Sequence, residues 1–364
     1  MPTYQLYQGN TLLLQGPAYI KLLTGSADCL SAPISTSEWT FVERPRQIPV
    51  HAIEDSLLEI KFGPGSSRKE VPGSTIPTSW REASQILCQS PGVAVIVGDV
   101  DTGKSSLCTF LANESIRRGL KVGVIDADVG QADIGPPTTI SSSQVKEPIL
   151  GLQDLEPQTL FFIGDTSPSS VPAKLTQSLV RLKRDLASST DIVIVNTDGW
   201  IGDTIALGYK SQLLTEANPD IVLGLARSIE IDPLLDLVAG TSLKLENSRF
   251  AKARTKEDRK RVREAGYQRF LRGSKPLGIR IDEVKLRMFD QPNQTVFAGS
   301  RNFRGRITGL LREDSTLHAI GRFNEVRSGI ALVETQTTEI PNILELGVVV
   351  LSPKFEEVGY NALH

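Results

Sequence analysis

Gly98-Asp99-Val100-Asp101-Thr102-Gly103-Lys104-Ser105 decides how this 364-residue chain is read. It directly follows an apolar run, Val93-Ala94-Val95-Ile96-Val97, and directly precedes a helical pattern. Two glycines separated by four residues, followed by Lys and Ser, let backbone N–H groups turn inward onto phosphates, and the helix that starts there adds its positive end. Lys104 is expected to reach the β- and γ-phosphates and Ser105 to offer a hydroxyl to Mg²⁺. The candidate nucleotide-binding set is Gly98, Asp101, Thr102, Gly103, Lys104, Ser105 and Ser106.

Working outward, four more apolar runs read as strands buried on both faces: 121–125, 160–163, 192–195 and 221–225. Helical patterns separate them, clearest in Leu175, Leu179, Leu182 and Leu186. Ser79-Trp80-Arg81-Glu82 reads as a capping box opening a short helix through Leu87. Strand and helix in alternation predict an α/β fold with a mostly parallel sheet. Before it, 11–14, 18–23 and 57–62 read as short strands separated by Gly, Pro and Ser; after it, 282–286, 306–311 and 347–350 do the same. The expected organisation is a small β domain over 1–78, a phosphate-loop domain over 79–273 and a small β-rich domain over 274–364, each long enough to bury a core.

Composition narrows the class. The chain is 40% hydrophobic and 23% charged, with a formal net charge of −2. No apolar run reaches the eighteen or so residues of a membrane span, and no signal peptide is visible, so an intracellular, cytoplasmic protein is expected. Cys29, Cys88 and Cys108 are widely spaced, and with His51, His318 and His364 they support neither a disulfide framework nor a zinc site. Charge is unevenly placed. From Arg249 to Arg272 ten Lys and Arg face three acids, a net of +7 that leaves −9 for the remainder. Lys252, Lys256, Arg259 and Arg263 fall at helical spacing there, with Arg254 off the stripe.

Asp126-Ala127-Asp128 closes the strand after the phosphate loop, where an acidic element faces the metal and the transferred phosphate. Carboxylates two residues apart on a strand share a face. No Asn-Lys-x-Asp guanine signature follows a later strand, which favours ATP or a relaxed base preference.

Four further segments carry a resemblance. Asp126-Ala127-Asp128-Val129-Gly130-Gln131 with Pro136-Pro137-Thr138 resembles the Walker B block of the RNA 5′-hydroxyl polynucleotide kinases related to the pre-mRNA cleavage-complex kinase, in their archaeal form. Thr197-Asp198-Gly199-Trp200 resembles that family's Thr-x-Gly-Trp clasp, and Arg254-Thr255-Lys256-Glu257-Asp258-Arg259 with Arg263 resembles its Arg-rich lid. Gly164-Asp165-Thr166-Ser167-Pro168 resembles its substrate segment. The resemblance covers about half of the chain, from Pro91 to Gly273. It implies an ATP- and Mg²⁺-dependent kinase that phosphorylates the 5′-hydroxyl of RNA, with DNA left open as a second acceptor and an RNA-processing complex left open as a setting.

The same resemblance implies Asp128 as general base, Ser105 and Asp126 toward the metal, and Lys104, Arg254, Arg259 and Arg263 on the transferred phosphoryl. It assigns Gln131, Thr166, Thr197 and Trp200 to the acceptor. Alternatives stay open at several positions. Asp126 and Asp128 could exchange roles, Trp200 could pack under its loop, Thr197 could satisfy backbone, and the basic run could be a solvated helix. An ATP-binding scaffold with little turnover is the alternative for the whole chain; a partitioning-type ATPase switch fits less well, because the loop has no early Lys.

Overall fold

A computed structural model of the chain describes residues 3–44, 46–225, 227, 231–237, 240–250, 253–291 and 303–360. Alternation along the phosphate-loop strand, Val93–Gly98, shows how the centre is built. Ala94 and Ile96 enter one hydrophobic cluster while Val95 and Val97 enter another, so the strand is covered on both faces. Helices α1 (Thr78–Gln89) and α2 (Lys104–Arg117) pack on the first side. Helices α3 (Pro172–Ala187) and α4 (Thr204–Ala217) pack on the second, followed by the short α5 (Asp232–Leu235). The four leucines read at helical spacing, Leu175 to Leu186, are the buried stripe of α3. Each such side chain contributes roughly 1.5–3 kcal/mol on leaving water.

The central sheet runs in the order Thr159–Phe162, Thr139–Val145, Val122–Ala127, Ile192–Thr197, Val93–Gly98, Ile221–Leu225, Thr241–Lys244. Pairing is parallel from Val122–Ala127 onward and antiparallel at the first two joints. The fold is therefore mixed α/β with a largely parallel sheet. Three loops leave the carboxyl ends of adjacent parallel strands: the phosphate loop after Val93–Gly98, the acidic loop after Val122–Ala127, and Asp198-Gly199-Trp200 after Ile192–Thr197. Ligands gather at that edge of an open α/β sheet.

Two antiparallel sheets precede this unit. One is ordered Thr3–Leu6, Ser56–Phe62, Ala18–Thr24, Thr40–Val42; the other is Ala32–Pro33, Ala27–Cys29, Gln47–Ala52, Asn10–Gln15, Ser67–Pro72. A further sheet follows it: Lys275–Arg280, Ile330–Thr335, Leu317–Arg327, Arg306–Leu311, Ile343–Leu351, Lys285–Met288, with Glu357–Tyr360 also paired to Ile343–Leu351. The cores do not stop at 78/79 or 273/274. One cluster runs from Leu6 through Phe110 to Leu245, and another joins Phe162 to Tyr267, Leu271 and Ile307.

Three local readings are corrected. Helix α1 starts at Thr78 with Pro77 as its N-cap and no side-chain cap, and Ser79 Oγ instead accepts from the Glu246 amide at 3.1 Å. Thr139–Val145 is a strand that the sequence reading missed, its serines buried and Ser143 Oγ donating to Glu156 O at 2.8 Å. Residues 282–284 form a turn, and the strand begins at Lys285. Helix α6 spans Lys256–Leu271, opened by a capping box between Thr255 and Asp258, while Lys252 lies outside the described residues. Among the described residues no helix is long and apolar enough to cross a membrane.

Candidate active site

The phosphate loop holds its shape through backbone conformations that side chains resist. Gly98 has φ +155° and Gly103, the N-cap of α2, has φ +101°. A Cβ on Gly98 would collide with Leu225 O, and in the native loop the Asp99 amide donates to that carbonyl at 3.2 Å. Asp101 takes a left-handed φ of +58° without being glycine. Thr102 Oγ1 closes the turn onto Asp99 O at 2.8 Å.

Lys104 is buried, and its Nζ donates to Gly98 O at 3.1 Å and to Asp99 O at 2.7 Å. Burial pulls this ammonium below its ordinary value of 10.5, while the Asp128 carboxylate pulls the other way.

Below the loop, Asn196 Nδ2 lies 3.1 Å from Asp126 Oδ1 and 3.4 Å from Ser105 Oγ. Asp126 is 1% exposed, and its Oδ2 accepts from the amides of Asp133 at 2.6 Å and Ile134 at 3.1 Å. Burial first, then the neighbouring acids Asp133 and Asp128, push its carboxyl up to about 7. Asn196 Oδ1 is buried with no hydrogen-bond partner among the described residues. A hydroxyl, a deeply buried carboxylate and an orphaned amide oxygen suit a hydrated Mg²⁺, which takes one or two carboxylates and keeps several waters. Among the described residues no cluster of three His, Cys, Asp or Glu could hold a metal by itself.

Asp126 and Asp128 do not share one environment. The strand ends at Ala127, and Asp128 lines a cleft of about 870 Å³ together with Lys104, Ser105, Gln131, Thr166 and Trp200. Asp128 Oδ1 accepts from the amides of Gln131 at 2.9 Å and Gly130 at 3.2 Å. Burial raises its carboxyl above the ordinary 3.8, opposed by Lys104 and reinforced by Asp198.

Asp198 was not singled out from sequence. It is 4% exposed; its Oδ2 accepts from Lys210 Nζ at 2.7 Å and Tyr209 OH at 3.1 Å, and its Oδ1 accepts from the Trp200 amide at 2.9 Å. Lys210 lies on α4 and is fully buried. This pair braces the clasp loop beside Asp128. Nothing in the local sequence announced it, since a Lys in a helix reads as solvated until the tertiary fold closes over it.

The acceptor-side candidates divide. Thr197 is fully buried, and its hydroxyl donates to Ile96 O at 2.8 Å. The hydroxyl is engaged by the strand next to it, in line with the backbone-satisfying alternative left open from sequence. Trp200 is half-buried, stacks on Tyr209 at 5.9 Å between centroids, and donates from Nε1 to Asp203 Oδ2 at 2.8 Å. Gln131 Nε2 donates to Gly130 O at 2.6 Å and Arg259 O at 3.3 Å, and its Oε1 accepts from Arg254 Nη1 at 3.5 Å. Thr166 Oγ1 lies 3.4 Å from Tyr360 OH.

The lid arginines divide too. Arg259 Nη2 lies 2.8 Å from Asp101 Oδ2, which also accepts from the Arg254 amide at 3.0 Å. Arg263, one turn further along α6, pairs with Glu357 through Nε at 2.6 Å and Nη2 at 2.8 Å. Burial opposes the Arg263 charge, and Glu357 more than offsets it, holding the guanidinium above its ordinary value.

Comparison with known proteins identifies the family. Residues 98–273 match the family model of the mRNA cleavage and polyadenylation factor CLP1 P-loop. The chain is 30% identical over 262 residues to a polyribonucleotide 5′-hydroxyl-kinase of Pyrococcus horikoshii, covering 72% of this chain and 70% of that protein. It is likewise 30% identical over 293 residues to a CLP1 homologue of Anopheles gambiae, covering 73% and 68%. A solved structure of Clp1p in complex with a Pcf11p fragment superimposes with a TM-score of 0.76 at 13% identity, over 96% of this chain and 97% of that one, which shows the common fold. By sequence match, this chain belongs to the polyribonucleotide 5′-hydroxyl-kinase family that includes the CLP1 proteins.

Proposed function

We propose that the chain transfers the γ-phosphate of ATP to the free 5′-hydroxyl of RNA. The observation that carries this reading is Asp128, held by two backbone amides at the cleft wall and electrostatically coupled to Lys104 of the phosphate loop. In this reading the 5′-oxygen attacks the γ-phosphorus, the bond to the β–γ bridging oxygen breaks, ADP leaves, and Asp128 takes the hydroxyl proton. Backbone amides of Gly98, Asp101, Thr102 and Gly103, with Lys104, Ser105 and Ser106, bind the nucleotide. Ser105 and Asp126 hold Mg²⁺, which when bound neutralises charge on the phosphates. The Arg254 guanidinium leaves Gln131 and the Arg259 guanidinium leaves Asp101 for the triphosphate. Gln131, Thr166 and the Trp200 ring receive the acceptor end, and stacking suits an enzyme that accepts many sequences.

Incubation with γ-labelled ATP and 5′-hydroxyl oligonucleotides of RNA and of DNA tests the reading. Label on RNA is expected, and label on DNA as well would widen the acceptor class. Nucleotide binding with label on neither would replace the kinase by an ATP-binding assembly factor.

A further inference from the structure

Arg263 and Glu357 stand apart from the rest of the cleft chemistry. Glu357, on the C-terminal strand Glu357–Tyr360, is 4% exposed, and both of its oxygens face the Arg263 guanidinium in a two-pronged bridge. The Glu357 amide donates to Glu264 Oε1 at 3.0 Å, a second tie between the same strand and α6. Tyr360 OH donates to Glu357 Oε2 at 3.3 Å and lies 3.4 Å from Thr166 Oγ1 on the acceptor segment. Tyr267, on the next turn of α6, is fully buried in the cluster shared with the C-terminal sheet. A guanidinium whose fork is closed on a buried carboxylate has little charge to spare for a phosphate. Arg259 sits four residues earlier, about 6 Å along the same helix, and meets the phosphate loop at Asp101.

We propose that Glu357 is a positioning residue for phosphoryl transfer: by clamping Arg263 it fixes α6 so that Arg259 is presented to the transferred phosphate. The inference rests on the kinase reading and reassigns Arg263 from the reacting phosphoryl to the clamp. A strand from the far end of the chain thereby sets the register of the lid, and through Tyr360 it ties the lid to the acceptor loop. Displacement of about 1 Å in a reacting constellation costs on the order of 10²-fold in rate.

The test uses the full chain in single-turnover phosphate transfer to 5′-hydroxyl RNA. Glu357→Gln and Arg263→Ala are each expected to lower kcat by about 10²-fold with KM for ATP little changed, and the double variant to lose no more than either alone. The charge-swapped pair, Arg263→Glu with Glu357→Arg, is expected to recover most of the rate; Arg263→Lys, a gentler variant, should fall between wild type and Arg263→Ala. If Glu357→Gln equals or exceeds wild type while Arg263→Ala loses 10³-fold or more, Arg263 acts on the phosphate directly and the proposal fails. A fall in melting temperature with kcat unchanged below it would reduce the pair to a structural brace and also overturn the proposal. Hydrogen exchange on the nucleotide-free protein separates this from the kinase reading. Faster exchange confined to α6 in Glu357→Gln supports the clamp even if wild type labels no RNA, and unchanged exchange there sinks it even if the enzyme is a kinase.

Discussion

Asp128 and Gly98 show what single residues contribute. A general base must be deprotonated to accept the 5′-hydroxyl proton, and burial raises the Asp128 carboxyl above 3.8. The rate should therefore rise with pH through an acid limb placed higher than an ordinary Asp would put it. Asp128→Asn is expected to lose that limb and about 10²- to 10⁴-fold in kcat; a pH–rate profile that keeps the limb in this variant would move the base to Asp126. Gly98→Ala is expected to abolish ATP binding, because the new Cβ would strike Leu225 O in a backbone conformation that disfavours a side chain. Calorimetric titration with ATP on the folded variant checks this, and wild-type affinity would refute it. Residues of this kind are legible in sequence because their requirement is local: a glycine for a positive φ, a Lys and a Ser at fixed distance from it. Asn196, Asp198 and Lys210 were not legible. Their roles depend on which buried partner the fold brings, across 70 positions in the case of Asn196 and Asp126.

Among the elements, α6 is where sequence and structure meet most closely. Its charge made it visible as a basic segment, and the structure adds a capping pair, Thr255 and Asp258, that the sequence reading had not named. What spacing could not say is which arginine faces what, since a helix shows its pattern without its neighbours. The strand Thr139–Val145 failed for the complementary reason. It is buried on both faces with Ser141, Ser142 and Ser143 at its centre, so neither an apolar run nor an alternation marked it. The lid reading gives a contrast within one turn. Arg259 touches Asp101, whereas Lys260 has a half-exposed side chain 3.7 Å from Glu264 on its own helix. Arg259→Ala should lower kcat by 10³-fold or more, as for a positioned arginine on a transferring phosphoryl. Lys260→Ala should change it little, because an exposed helical ion pair is worth only about 0.3–0.5 kcal/mol. Equal kcat values at saturating ATP and RNA would reduce α6 to a solvated basic helix.

On the scale of the whole molecule, the alternating pattern of strands and helices revealed the central sheet, but nothing in the chain announced how firmly the last sheet is joined to it. The join is ionic as well as apolar. Glu345, fully buried on Ile343–Leu351, accepts from Arg287 Nε at 2.6 Å on its own sheet and pairs with Lys174 on α3 of the central unit. Lys174 also donates to Phe289 O at 3.2 Å, and the Val348 amide donates to Gly164 O at 2.9 Å beside the acceptor segment. Removing the carboxylate in Glu345→Ala strands two cations with side chains only 25% and 17% exposed, so about 3–5 kcal/mol of stability should be lost. The pH dependence has a definite sign. Burial lowers the Lys174 pKa even with Glu345 present, so the folded chain sheds that proton before the unfolded chain does, and the cost of holding the ammonium is relieved as pH rises toward 10.5. Without Glu345 the lowering should deepen, and the deficit relative to wild type should shrink between pH 7 and 9.5. Replacing both partners by apolar groups, Lys174→Met with Glu345→Leu, should cost less than Glu345→Ala alone, because it leaves fewer charges unpaired. Denaturant titrations of the three proteins at the two pH values decide the matter: a deficit that is small, or that grows with pH, would mean the sheets are held together by their shared apolar cluster alone.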